Sequence, residues 1–342
     1  MNTPQPSPAP ARRRVLYVAR APFISGAERA LLSTLRGLDR SRVEPYVVLG
    51  AATAMTTQLA QLAVPYTVMP LPPRSWRQPL GWWRSLRRLR LLIRTFDPHL
   101  LHANDVPSCQ ALSVLGAELR IPRLIHLRWH ARADGVGWWA RAGAEEILCI
   151  SQWMKQELGA TADTPLARAR VQVVHDPVDW TTQPPQPPPP PPSGSIPLTL
   201  GFAGQLAPVK GLDLLIEALG MLPPAQRPRL LIAGRDTQSD GAYQRALQER
   251  AERLGVAARL QWLGFLDDVS TLYRQVHAVV CPSRTEPLGL IPLEAAAWHV
   301  PALVSAVGGF LETVVDGHTG YHVVPAAEAW AQRLAQLPNP VG

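Results

Sequence analysis

The chain has 342 residues, 46% apolar and 18% charged, a globular composition long enough for about two domains of ~150 residues, which excludes a wholly disordered chain. Three scattered cysteines, with no C-x-x-C pair, exclude a disulfide framework and a zinc knuckle and point to a reducing compartment. The formal charge of +8 rests on 32 Arg and 2 Lys and is uneven: residues 1–182 carry +10 and residues 183–342 carry −2, so the basic balance does not by itself argue for nucleic acid.

Residues 1–13 read as a disordered, Pro-rich polar tail without the apolar stretch of a signal peptide. No run approaches the ~18 apolar residues of a membrane span, so the expected location is the cytoplasm. The runs 14–19, 45–49, 66–69, 99–102, 123–127, 146–150 and 171–175 are apolar without alternating, as strands of a sheet covered on both faces require. Between the first two, Phe23-Ile-Ser-Gly26-Ala-Glu-Arg29 leads into an amphipathic helix over 30–38. Gly26 there permits close backbone approach, and the following helix N-terminus offers free N–H groups to an anion; a plain turn explains the glycine equally well.

The stretch 74–96 is the densest basic and aromatic one. Trp82, Leu86, Leu89, Ile93 and Phe96 recur at helical spacing, while Arg84, Arg87, Arg88 and Arg94 fall elsewhere. This predicts a helix with its apolar face in the core and its arginines in water. The competing reading is an interfacial anchor to anionic lipid, with Trp76, Trp82 and Trp83 at headgroup level.

Residues 181–197 hold six consecutive prolines (187–192) and then Ser193-Gly-Ser, a polyproline spacer with a flexible hinge. The rhythm restarts beyond it, with strands predicted at 198–203, 229–233, 259–263, 278–281, 302–305 and 321–324 and helices at 211–221, 243–254 and 288–298. The chain is therefore α/β, two Rossmann-like doubly wound domains, 14–180 and 198–342, joined by a Pro-rich linker. Ligands are expected at the carboxyl ends of the strands, in a cleft that the domains face.

Two loops of the second half carry the chemistry. Gly204-Gln-Leu-Ala-Pro-Val-Lys210-Gly211 follows a strand and opens a helix, and a lysine at such an entrance suits a diphosphate. The spacing is not that of the P-loop. Ser283-Arg-Thr-Glu286-Pro-Leu288-Gly289-Leu290-Ile-Pro-Leu-Glu294 places one carboxylate in a loop and another on an apolar helix, where each can accept hydroxyl hydrogen bonds of a polyol. A helix-start acid favoured by the dipole accounts for Glu286 but not for Glu294. Val307-Gly308-Gly309-Phe-Leu-Glu312 is a further strand-to-helix turn with amides available to a ligand.

These residues resemble the family 4 glycosyltransferases of the GT-B fold from about Arg14 to Pro325. E-P-x-G-L-x-x-x-E-A stands as Glu286 to Ala295, V-G-G-x-x-E as Val307 to Glu312, and G-R-L-x-x-x-K-G, with one change, as Gly204 to Gly211. Ser25-Gly26-Ala-Glu28 stands for G-G-A-E, and His102-Ala-Asn-Asp105 for H-x-x-D on the acceptor side. His175-Asp-Pro-Val-Asp179 falls where the family writes N-G-V-D.

The resemblance implies retaining transfer from a nucleotide diphosphate sugar to a glycan or lipid-linked acceptor of bacterial surface polysaccharide, lipopolysaccharide or glycolipid synthesis, with no prosthetic group and no metal site. By position, Lys210 neutralises the donor diphosphate, Glu286 binds donor-sugar hydroxyls, Glu294 holds the ribose, and the N–H groups of Gly26 and Leu288–Leu290 complete the cradle. Gln205 replaces the family arginine, with Arg235, after Gly234, or Arg284 as the compensating cation. Arg128 falls at the family histidine, with His126 or His130 as substitutes. The resemblance also implies helices beyond Pro325, whereas the second domain is short at its C-terminus. Gln205 and that shortness motivate the alternative, a non-catalytic subunit binding a nucleotide sugar or a partner transferase.

Overall fold

A computed structural model describes residues 12–20, 26–72, 79–129, 145–159, 169–178, 198–237 and 239–337. The tail through residue 11, the linker expected over 181–197, Trp76 and His130 lie outside the described residues. The chain divides into two compact units, Met1–Pro177 and Val178–Gly342.

The first unit holds β1 (Arg13–Ala19), β2 (Val43–Leu49), β3 (Tyr66–Val68), β4 (Leu100–Ala103), β5 (Arg123–Leu127), β6 (Glu146–Cys149) and β7 (Arg170–Val173), in the order β3-β2-β1-β4-β5-β6-β7. Every pairing is parallel. Its helices are α1 (Gly26–Arg36), α2 (Ala54–Gln61), α3 (Pro79–Phe96), α4 (Val106–Leu119) and α5 (Gln152–Leu158). Side-chain caps fix several helix starts: Asp105 accepts from the Ser108 N–H, and Ser151 from that of Met154. Helix α1 begins at Gly26, four residues before the sequence pattern places it.

The second unit holds β8 (Thr199–Ala203), β9 (Arg229–Ala233), β10 (Leu260–Gly264), β11 (Ala278–Cys281), β12 (Ala302–Ser305) and β13 (Gly320–Val323), parallel throughout and ordered β10-β9-β8-β11-β12-β13. Around them lie α6 (Leu212–Met221), α7 (Ala242–Arg253), α8 (Leu290–Ala297) and α9 (Ala327–Ala335). Successive residues of one strand enter opposite cores. Leu230 and Ile232 of β9 join Leu215, Leu219 and Trp330 on one face, while Leu231 and Ala233 join Tyr273, Ala295 and Phe310 on the other. The inner strands β11 and β12 are buried at every position, as a sheet covered on both faces requires, hence their unbroken apolar runs.

Both units are doubly wound, and each strand order reverses beside the unit's first strand, between β1 and β4 and between β8 and β11. Helices leaving the two strands there depart to opposite faces, which opens a crevice at their carboxyl ends. The loops after β8 and β11 carry the residues singled out above.

Helix α3 has the apolar inner face and basic outer face that its spacing predicts. Trp82, Leu86, Leu89 and Ile93 are buried, each contributing roughly 1.5–3 kcal/mol, whereas Arg84, Arg87, Arg88 and Arg94 are exposed. Trp82, at 6% exposure, is a core residue and is removed from the headgroup face; Trp83, at 56%, stays outside.

Candidate functional site

In the second unit the chain leaves β8 through Gly204, and a single 3-10 turn, Pro208–Lys210, sets Lys210 at the entrance of α6. Gly211 follows in the left-handed region (φ +67°), and a Cβ there would overlap the Pro282 carbonyl oxygen. The absent side chain lets the exits of β8 and β11 touch backbone to backbone. Lys210 Nζ consequently lies 2.7 Å from Glu286 Oε2, with the two side chains 29% and 13% exposed. The Ser283 hydroxyl donates to the same oxygen at 3.3 Å. The structure thus joins the two residues that the sequence reading assigned to separate tasks.

The turn after β12 supports this loop from beneath. Gly309 N–H donates to the Glu286 carbonyl at 2.8 Å, and at Gly308 (φ +56°) a Cβ would strike that same oxygen. Leu288 is buried, Gly289 has φ +90°, and α8 starts at Leu290 with no side chain capping it. No capping side chain competes there for the first amides of α8, which are open to an anion. Glu294, one turn into α8, is half-buried and accepts a 3.0 Å hydrogen bond from Tyr273. Tyr273 is 1% exposed and belongs to the short turn Ser270–Tyr273. No sequence motif marks it; the available signal is that a buried tyrosine hydroxyl needs an acceptor.

The cations around Gln205 are otherwise engaged. Gln205 donates to the Thr237 hydroxyl at 2.7 Å, across the exits of β8 and β9. Arg235, beyond Gly234, is exposed with its guanidinium 5.0 Å from the Phe265 ring centroid. Arg284, the other candidate for the compensating cation, forks onto Asp213 of α6 at 2.8 and 2.7 Å and donates to the Pro208 carbonyl at 2.6 Å. Burial works to raise the Asp213 carboxyl, but the Arg284 hydrogen bonds and charge outweigh it and hold the group below its usual range. Arg284 therefore braces the Lys210 turn through Pro208 and Asp213.

In the first unit a buried polar cluster forms where β4, β5 and β7 end. Arg128 donates through Nε to both oxygens of Asp176, through Nη1 to Asn104, and through Nη2 to His126 Nδ1 at 2.9 Å. A guanidinium cannot accept, so His126 Nδ1 is the acceptor and the proton of the neutral ring sits on Nε2, 3.5 Å from Asp176. Burial, helped by the Arg128 charge, pushes His126 down to about 2 and His102 down to about 3. Burial also raises the Asp176 carboxyl, against the pull of Arg128. His126 and Arg128 are thus enclosed together with Asn104 and Asp176 in one buried polar network, in which burial holds the His126 ring neutral.

His102 packs against Tyr17, ring centroids 4.8 Å apart and planes tilted by 38°. Asp105 spends one oxygen on the Ser108 N–H at the start of α4 and the other on the Arg20 N–H. A Cβ at Gly26 would meet nothing among the described residues, so the start of α1 is open on that side. Arg84, Arg87 and Arg88 line the outer part of α3. Among the described residues no three His, Cys, Asp or Glu side chains are placed to hold a metal ion, and no described helix is long and apolar enough to cross a membrane.

Comparison with known proteins gives consistent matches. Residues 24–181 match the family model described as Glycosyltransferase Family 4, and residues 192–339 that of Glycosyl transferases group 1. A D-inositol 3-phosphate glycosyltransferase of Mycolicibacterium paratuberculosis is 32% identical over 176 residues, 49% of this chain and 39% of that protein. One of Stackebrandtia nassauensis is 34% identical over 148 residues, 41% and 33% of the two chains. The match therefore spans well under half the length of these curated relatives. Among solved structures, Anabaena HepE in complex with UDP and glucose superposes with a TM-score of 0.78 at 22% identity, covering 95% of this chain and 89% of that one. Sucrose-phosphate synthase from Thermosynechococcus elongatus gives 0.71 at 16%, covering 95% and 92%. At these identities the structural likeness is one of fold.

Proposed function

The chain belongs to the family 4, group 1 glycosyltransferases and has their GT-B fold, and on that premise we propose that it is a retaining hexosyltransferase that takes a sugar from a nucleotide diphosphate sugar. The acceptor in this reading is a glycan or a lipid-linked molecule of bacterial surface polysaccharide, lipopolysaccharide or glycolipid synthesis. The observation that carries it is the Lys210–Glu286 pair at the strand-order reversal of the second unit. A cation and a carboxylate held side by side match a ligand that offers a diphosphate next to sugar hydroxyls.

In this reading Lys210 and the open amides at the start of α8 take the diphosphate, Glu286 takes the sugar hydroxyls, and Glu294, oriented by Tyr273, takes the ribose. The bond from the anomeric carbon to the diphosphate breaks while the bond to the acceptor hydroxyl forms. The hydroxyl proton passes to the departing diphosphate on the same face. Catalysis is then positioning and stabilisation of the leaving charge. The Anabaena neighbour holds UDP and glucose on the same fold, which supports a UDP-sugar as the first donor to try.

The decisive experiment is thermal stabilisation by a panel of UDP-, GDP-, ADP- and dTDP-sugars, since a ligand that binds only the folded state raises the Tm. The expected result is a shift for one nucleotide, lost in Lys210→Ala and Glu286→Ala. A folded protein that responds to none overturns the reading.

A second reading, a non-catalytic subunit, is favoured by Gln205, whose amide is spent on Thr237 where the family resemblance expects an arginine. Binding without turnover of the donor selects it. Attachment at the inner face of the cell membrane belongs to the first reading. Its support is the outer face of α3, where Leu80, Trp83 and Leu91 are exposed beside Arg84, Arg87 and Arg88. Sedimentation with anionic liposomes, weakened by salt, tests it.

A further inference from the structure

A pocket of about 570 Å³ lies in the first unit, where the carboxyl ends of β1, β2 and β3 meet helix α3. Its walls are Arg20 after β1, Pro70 and Pro72 after β3, and Gly81, Arg84 and Arg88 of α3. We infer that this pocket binds a phosphoryl group carried by the acceptor, the three guanidinium groups taking its oxygens and the proline walls its carbon skeleton. The word acceptor rests on the transferase reading; the phosphoryl site itself does not.

Charge is the first argument. Among the described residues no Asp or Glu lines the pocket, and none of the three guanidinium groups forms a hydrogen bond or an ion pair. The acid next to Arg20, Asp105, has both oxygens occupied by backbone N–H groups. Three cations line one concavity, and guanidinium forks match phosphate oxygens.

Construction is the second. Gly81, Arg84, Ser85 and Arg88 follow a helical face, so α3 presents its arginines as one row. The Ser85 hydroxyl donates to the Pro70 carbonyl at 2.8 Å and pins that row to the exit of β3. Arg20 is fixed by the Asp105 contact and by Gly50, where a Cβ would overlap the Arg20 carbonyl oxygen. The arginines are therefore mounted on rigid backbone, and the volume lies within the ~300–1,000 Å³ of small-molecule sites.

The test titrates the full chain calorimetrically with inorganic phosphate, pyrophosphate, glucose 6-phosphate and glucose, separately with UDP, and separately again with vesicles containing phosphatidic acid. The expected result is binding of the phosphoryl compounds but not of glucose, weakened about tenfold or more in Arg84→Gln and Arg88→Gln and unchanged in Arg87→Gln, which is exposed on the same helix outside the pocket. UDP affinity and Tm are expected to stay as in the parent protein, which separates this outcome from misfolding and from loss of the donor site. Binding of the phosphoryl probes without any binding of UDP would retain this site and remove the donor reading. Failure of all three phosphoryl probes overturns the inference. So does binding only to vesicles containing phosphatidic acid, lost equally in Arg87→Gln, which would assign the arginines to a membrane surface.

Discussion

Arg128 Nε stands 2.8 and 2.9 Å from the two carboxylate oxygens of Asp176, although the strands these residues follow, β5 and β7, are separated in the sheet by β6. The side chains are 4% and 2% exposed, so the pair is desolvated and salt screens it little. Asp176→Ala leaves a buried guanidinium without its carboxylate and is expected to cost roughly 3–5 kcal/mol, whereas a double replacement of both residues by leucine removes both charges but leaves Asn104 and His126 without their donor, and recovers only part of that loss. Urea unfolding of the three proteins checks this.

The same cluster dictates a response to acid. His126 and His102 titrate near 2 and 3 when folded, below the ~6.5 of an unfolded histidine, so between those values the unfolded chain binds more protons. Their contribution is present above pH ~6.5 and is lost progressively as the pH falls toward 3. Unfolding midpoints from pH 7.5 to 4 should fall, and His102→Gln should flatten the slope. An unchanged slope in that variant would remove His102 from the account.

Gly308 and Gly211 hold the loops of the second unit together. In Gly308→Ala the left-handed backbone alone costs about 1–3 kcal/mol, and overlap with the Glu286 carbonyl adds to it. The Tm should drop by several degrees, and any donor-induced stabilisation should vanish with it.

Lys210 and Glu286 should separate by ligand. A charge-assisted hydrogen bond is worth about 1.5–3 kcal/mol, so Lys210→Ala should weaken both UDP and a UDP-sugar by about 10- to 100-fold. Glu286→Ala should weaken the UDP-sugar by a similar factor and leave UDP within about threefold. Equal losses for both ligands would contradict the division of roles.

The strands were legible because a sheet buried on both faces writes itself as apolar runs, and the runs from 14–19 to 321–324 recur in the structure with small shifts at their ends. One shift has a clear cause. Strand β2 extends two residues before Pro45, where β3 does not yet pair with it, so the missing proline N–H falls on an open edge. Helix α1 starts ahead of its apolar pattern because Gly26, a loop-favouring residue, is already helical. The donor-side loops were legible because their glycines and charges lie within short motifs. The Arg128–Asp176 pair, the Arg284 fork onto Asp213 and the Tyr273 hydrogen bond to Glu294 were not, because each depends on strand order and burial, which no local spacing encodes.

The chain contains two lysines, Lys155 exposed on α5 and Lys210 tied to Glu286. Amine acylation read by peptide mass spectrometry therefore yields two side-chain signals, one a constant reference and the other a gauge of site occupancy. A ligand that displaces or covers the Lys210 ammonium changes the ratio of the two, so occupancy becomes measurable on the unmodified sequence without a label or a coupled assay.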